Sequence, residues 1–152
     1  MKIIVDANII FSGILNSNGK IGDLLINSKK YFDFIAPEFL QREISSHYNK
    51  LSDISGMTME HVREAEFQLC KDILFISEEL ISRSVWQAAI KLVMDIDPKD
   101  APYVAFSKYF RCRLWSGDKA LQKGLRKKGF DNFISTNDLF QLRQSKAKSF
   151  KG

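Results

Sequence analysis

The chain has 152 residues, a hydrophobic fraction of 45% and a net charge of +5. That is enough for one domain with a sizeable core and too little for two, and it excludes a disordered or low-complexity protein. The excess of Lys and Arg, 23 against 18 acids, favours a polyanionic partner.

The chain opens MKIIVDANIIFSG. Asp6 and Asn8 interrupt its apolar residues, no small-residue cleavage site follows, and no run approaches the ~18 apolar residues of a membrane span, so neither secretion nor insertion is expected. Cys70 and Cys112 lie far apart without the close pairing of zinc motifs, which fits inert thiols in a reducing, cytoplasmic setting. Residues 2–5 form a short β-branched run ending at Asp6, the pattern of a strand buried on both faces of a parallel sheet. Similar runs recur at 32–36, 73–77, 113–115 and 132–135. Helical periodicity fills the intervals at 20–29, 38–52, 58–71, 82–94, 101–109, 118–128 and 136–147. The alternation predicts an α/β sandwich around a central, mostly parallel sheet of about five strands. Residues 1–142 make up the expected domain. Residues 143–152 are expected to be a flexible basic tail, since four cations fall between Arg143 and Lys151.

In such sheets, ligands gather outside the carboxyl ends of the strands. Asp6 follows the first strand directly, and Asp118 follows RLWSG, a later strand and its turn. In the helix EFLQREISSHYNKL, Leu40, Ile44, His47 and Leu51 mark the inward stripe, and Glu43 sits at its edge, either solvated or held by a partner. His47 lies one turn beyond Glu43 and reads as a boundary histidine. The stretch DIDPKDAP adds three acids and two prolines. Asp97 suits an N-cap, Pro98 the first helical position and Asp100 the third, where a carboxylate meets free amides; Asp118 likewise suits the cap of the helix that follows it. Capping explains Asp97 and Pro98 better than Asp100. Taken together, Asp6, Glu43, Asp100 and Asp118 reach one sheet edge from four segments and would repel one another unless a divalent cation held them. An all-oxygen donor set suits Mg²⁺ or Mn²⁺ rather than zinc, and such a centre can activate water against a phosphodiester.

The run KALQKGLRKK carries five cations and no acid. Lys119, Lys123 and Arg126 share one helix face, with Leu121 and Leu125 on the other, so this face is either solvated or a phosphate contact leading to the acids. Trp86 and Trp115 read as core residues, with stacking on bases as the alternative.

In order and spacing, IIVDANIIFSGIL, Glu43, DIDPKDAPYVAFS and LWSGDKALQKGLRKKGF resemble the acidic motifs of the PIN-domain nucleases, over roughly residues 1–140. The resemblance implies a three-layer α/β/α fold and an acidic pocket that binds Mg²⁺ or Mn²⁺ to cleave single-stranded RNA. It implies Asp6, Glu43, Asp100 and Asp118 as catalytic, metal-binding acids. Asn8 and Ser116 would orient them, and Asp97 would be an accessory acid or cap. Many such proteins are VapC-type toxins inhibited by an antitoxin, and many form homodimers; the resemblance leaves both properties open for this chain. Two readings compete. A phosphoacceptor domain also places acids at strand ends, but it wants adjacent acids after the first strand, where Ala7 and Asn8 stand, and a DxD phosphatase fails at the same place. An RNA-binding module on the same fold would hold RNA without cutting it, against which the intact quartet argues.

Overall fold

The computed structural model describes residues 1–16 and 18–151. Five parallel strands form one sheet: β1 (Lys2–Val5), β2 (Asp33–Pro37), β3 (Leu74–Ile76), β4 (Arg113–Trp115) and β5 (Phe133–Ile134), in the order β3-β2-β1-β4-β5. β1 is central. Its register sets Ile4 beside Ile35 on one side and Leu114 on the other, with Val5 opposite Trp115. Ile3, Ile4 and Val5 are fully buried, which is why the strand carries no polar alternation.

The chain runs outward from β1 through β2 to β3, then returns to place β4 on the opposite side of β1. The strand order therefore reverses between β1 and β4, and the loops leaving these two strands diverge to leave a crevice at their carboxyl ends. Helices complete a three-layer α/β/α sandwich. On one side α7 (Ala101–Phe110) packs against β1, β2 and β4 with α6 (Arg83–Val93) against it; α1 (Ala7–Leu15), α2 (Lys20–Asn27), α4 (Tyr48–Ser55) and α5 (Met59–Cys70) pack together as a second group. The sheet and helices agree with the expected architecture.

Three local differences have physical causes. Periodicity does not mark the helix α1, because Ile9, Ile10 and Ile14 are all buried and the segment has little polar face. The helix expected over 38–52 is two helices, α3 (Phe39–Ser46) and α4, divided at His47. There the Glu43 carbonyl bonds the Ser46 hydroxyl at 2.8 Å and His47 Nδ1 at 2.7 Å, while the His47 N–H turns to the Ile44 carbonyl. Side chains have displaced the backbone bond that would have carried the helix through. Gly56, at φ 74°, ends α4 in the left-handed conformation that glycine adopts without strain.

The third difference is α9, Thr136–Lys151, which carries the segment read as a basic tail as far as Lys151. Arg143 anchors it: its guanidinium donates to both Asp23 carboxylate oxygens, at 3.3 and 2.7 Å, and to the hydroxyl of fully buried Ser28 at 3.1 Å. The same bonds hold the Asp23 carboxyl below its usual range. Arg143→Ala, which leaves Ser28 and Asp23 without their donor, should lower unfolding free energy by about 1–3 kcal/mol in urea denaturation. Lys148→Ala, at an exposed site on the same helix, serves as the control and should move it by under about 0.5 kcal/mol.

Candidate active site

At the crevice between β1 and β4, a small pocket of about 80 Å³ is lined by Asp6, Asn8, Glu43, Asp97, Asp100 and Asp118, together with Ala7, Lys99 and Tyr103. Each acid arrives by a different device. Asp6 ends the central strand and caps α1: its Oδ1 accepts the Ile9 N–H at 3.1 Å, and the residue is 3% exposed. Asp118 repeats the arrangement on the neighbouring strand. It caps α8 (Lys119–Arg126) through Oδ1, which accepts the Leu121 N–H at 3.0 Å. Ser116 joins the pair, since its buried hydroxyl accepts the Asp118 N–H at 3.1 Å and hydrogen-bonds Asp6.

Glu43 comes from α3, where the Tyr103 hydroxyl donates to its Oε1 at 2.5 Å. Asp97 and Pro98 begin a single 3₁₀ turn, Pro98–Asp100, and Asp97 Oδ1 accepts the Lys99 N–H at 3.1 Å. The capping expectation holds for Asp97, Pro98 and Asp118. It fails for Asp100, whose side chain makes no cap bond although the residue stands at the start of α7. Among the described residues, Asp100 Oδ2 is the buried side-chain oxygen or nitrogen atom that lacks any hydrogen-bond partner.

The electrostatics reflect this crowding. Burial pushes the Asp6 carboxyl up to about 7, with the Ser116 and Ile9 hydrogen bonds opposing the rise and Asp118 and Glu43 adding to it. Asp100 is also pushed up to about 7, first by burial and then by Asp97, Asp6, Asp118 and Glu43. Glu43 is raised by burial against the Tyr103 bond and the nearby His47 and Lys99 charges, and Tyr103 is itself raised by burial and by Glu43.

A divalent cation fits this site in charge and donor type: hard carboxylate oxygens, mutual repulsion awaiting relief, and one buried oxygen with no partner. The fit needs side-chain movement. Among the described residues, no three acids, histidines or cysteines already converge as a ready ligand set. Like charges repel, and Asp6, Glu43 and Asp118 are each held by a local partner, which keeps the carboxylates apart.

Sequence reasoning missed Tyr103 and Lys99. Tyr103 lies three residues after Asp100, one helical step away, and reads as a core aromatic until the fold brings it to Glu43. The basic residues of α8 do not line the pocket: Lys119 and Lys123 are exposed beyond it, and Arg126 Nε is held by Asp131 at 2.6 Å. Trp115 is fully buried with its Nε1 on Thr136 Oγ1, and Trp86 Nε1 bonds the Glu78 carbonyl, so both indoles are structural. Burial raises the thiols of Cys70 and Cys112 to about 12 and about 11, in keeping with inert cysteines. His47 bonds the Glu43 backbone carbonyl rather than its carboxylate.

Carboxyls raised in the fold favour the protonated form, so this contribution stabilises the cation-free protein below about pH 4 and is lost as pH rises through about 7. Asp100→Asn should therefore be more stable than wild type at pH 7.5 in EDTA, by about 1–2 kcal/mol after allowance for its partial exposure, with the gap closing by pH 4. Thermal melts across that range, wild type against variant, measure it.

A family model described as PIN domain matches residues 4–138. No curated protein matches the chain by sequence. Among solved structures, PAE2754 from Pyrobaculum aerophilum is similar at a TM-score of 0.68 and 10% identity, covering 95% of this chain and 90% of its own. VapBC2 from Rickettsia felis, bound to a DNA fragment from its promoter, is similar at a TM-score of 0.62 and 13% identity, covering 89% of this chain and 97% of its own. At these identities the likeness is one of fold.

Proposed function

The chain belongs to the PIN-domain family, whose members are nucleases that generally use divalent metal ions, and on that premise we propose that it hydrolyses phosphodiester bonds in single-stranded RNA. Asp6, Glu43, Asp100 and Asp118 are the catalytic acids and would hold Mg²⁺ or Mn²⁺. The observation that carries this reading is the buried, unpartnered Asp100 Oδ2, on a carboxyl raised first by burial and then by the charges of Asp97, Asp6, Asp118 and Glu43. Among the described residues no group uses that oxygen's lone pairs, and a cation would.

The chain's own residues divide the work. The caps on Ile9 and Leu121 fix Asp6 and Asp118 at the ends of adjacent strands, and Ser116 ties them together, so both reach the crevice in set orientations. Tyr103 holds Glu43 Oε1 and leaves Oε2 for the site, either directly or through water. Asn8 borders the crevice, and exposed Asp97 contributes charge beside Asp100. When bound, the cation would lower the pKa of an attacking water and offset the charge of the phosphodiester. Lys99 at the rim supplies the positive charge nearest to where the phosphate must enter, and Lys119 and Lys123 extend that path along α8.

A role as the toxin of a toxin–antitoxin pair, with an antitoxin partner, extends the same reading and draws on the fold likeness to VapBC2; a homodimeric state is proposed beside it without that support. No helix among the described residues is long and apolar enough to cross a membrane.

Purified protein should cleave labelled single-stranded RNA in Mn²⁺ or Mg²⁺ and lose that activity in EDTA. Asp6→Asn keeps a residue able to cap α1 but removes a charge, and should lower kcat about 100-fold or more, some 2.7 kcal/mol of transition-state stabilisation. Cleavage unchanged in EDTA would sink the metal mechanism. RNA bound but never cut would leave the non-catalytic RNA-binding module as the function.

A further inference from the structure

Beside the acidic pocket runs a second depression, a groove of about 280 Å³ between α1 and α4. One wall is the α1 stripe Asn8, Phe11 and Leu15; the other carries His47, Lys50 and Ile54. Asn8 belongs to both depressions, so the groove begins where the acidic pocket ends. Phe11 lies one helical step beyond Asn8, about 4.5 Å along the axis.

Two aromatic rings meet in this groove. Phe11 and His47 stand with ring centroids 5.1 Å apart, tilted by 49°. Leu15 and Ile54 remain 44% and 61% exposed at the far end. Lys50 has no hydrogen-bond or ion-pair partner among the described residues, which leaves its ammonium available beside an apolar floor. Acids dominate the neighbouring pocket, yet none lines the groove.

Building on the nuclease reading, we propose that this groove is a nucleobase subsite: it takes the base of an unpaired nucleotide next to the scissile phosphate, stacked on Phe11 and His47. Base–aromatic stacking tolerates any base because every base has a π-face, and it requires the base to be unstacked from a duplex. The Asn8 amide offers both a donor and an acceptor at the boundary between the two depressions, where the edge of the base and the sugar would pass. Lys50 pairs with the phosphate on the far side of that nucleotide. The volume suits one base, and the lysine complements a polyanion. The site thereby gives the chain a physical preference for single strands that the acids alone do not supply, since carboxylates and a cation act on any phosphodiester.

The test uses pentanucleotide RNAs carrying 2-aminopurine at each position in turn. They are bound in Mg²⁺ to the Asp6→Asn protein so that binding is read without cleavage. Fluorescence should be quenched at one position only. On the Asp6→Asn background, Phe11→Leu, which keeps an apolar side chain but loses the π-face, should weaken affinity about tenfold and abolish that quenching; Phe11→Tyr should restore both. An abasic nucleotide at the same position should cost the Asp6→Asn protein as much as Phe11→Leu does, and cost the Phe11→Leu protein little more. Equal binding of abasic and intact RNA, or quenching indifferent to Phe11→Leu, would overturn the subsite and assign the groove to an apolar segment of a protein partner. Because this readout is binding, it stands apart from the cleavage assay: RNA cut by wild type with no quenched position rejects the subsite alone, and a quenched position without cleavage by wild type rejects the nuclease reading alone.

Discussion

The burial of Asp6 and the crowding of half-buried Glu43, Asp100 and Asp118 against it, at the carboxyl ends of β1 and β4, are the constraint on which the site depends. An isolated carboxylate taken out of water is costly, and several taken out together are costlier. Asp6, at 3% exposure, and the unpartnered Asp100 Oδ2 are tolerated only because the surrounding fold is rigid enough to hold them. The fully buried Ile3–Val5 of the central strand, the reversal of strand order beside it and the α7 packing on β1, β2 and β4 form the frame that holds them. The energy held there is released when positive charge enters, which links the stability of this fold to its chemistry.

The same residues serve structure and site. Asp6 and Asp118 are ordinary N-caps, and a cap is worth about 1 kcal/mol to its helix. Capping uses one oxygen of a carboxylate and leaves the charge, so two adjacent strands that each begin a helix with aspartate necessarily bring two charges together. Ser116 makes the coincidence specific by bonding both. Tyr103 acts in the same way on Glu43, joining α7 to α3 across 60 residues of sequence.

Much of this was legible in the residues. Short, largely apolar runs mark the strands, most plainly the β-branched Ile3–Val5 of β1, and the positions of Asp6 and Asp118 after β1 and β4 point to the crevice. What escaped had tertiary causes. α1 hides its helical period in an apolar run, and the break at His47 depends on which groups reach the Glu43 carbonyl. Asp100 resembles a cap in sequence, and only the fold shows that its side chain bonds no backbone amide. Tyr103 and Lys99 carry no local signal at all, since their relation to Glu43 exists only once α7 lies against the sheet. The cations of α8 are the reverse case, conspicuous in sequence yet outside the pocket lining, with Arg126 taken by Asp131.

Asp6 and Asp100, raised to about 7 in the cation-free fold, should give up protons when a divalent cation binds. Calorimetry of Mg²⁺ or Mn²⁺ binding near pH 6.5, repeated in buffers of different ionisation enthalpy, measures that release directly. With Asp6 and Asp100 both near 7, binding should release about one to two protons per protein, and the release should fall by about half in Asp100→Asn. Binding without proton release, or no binding at millimolar cation, would contradict the account.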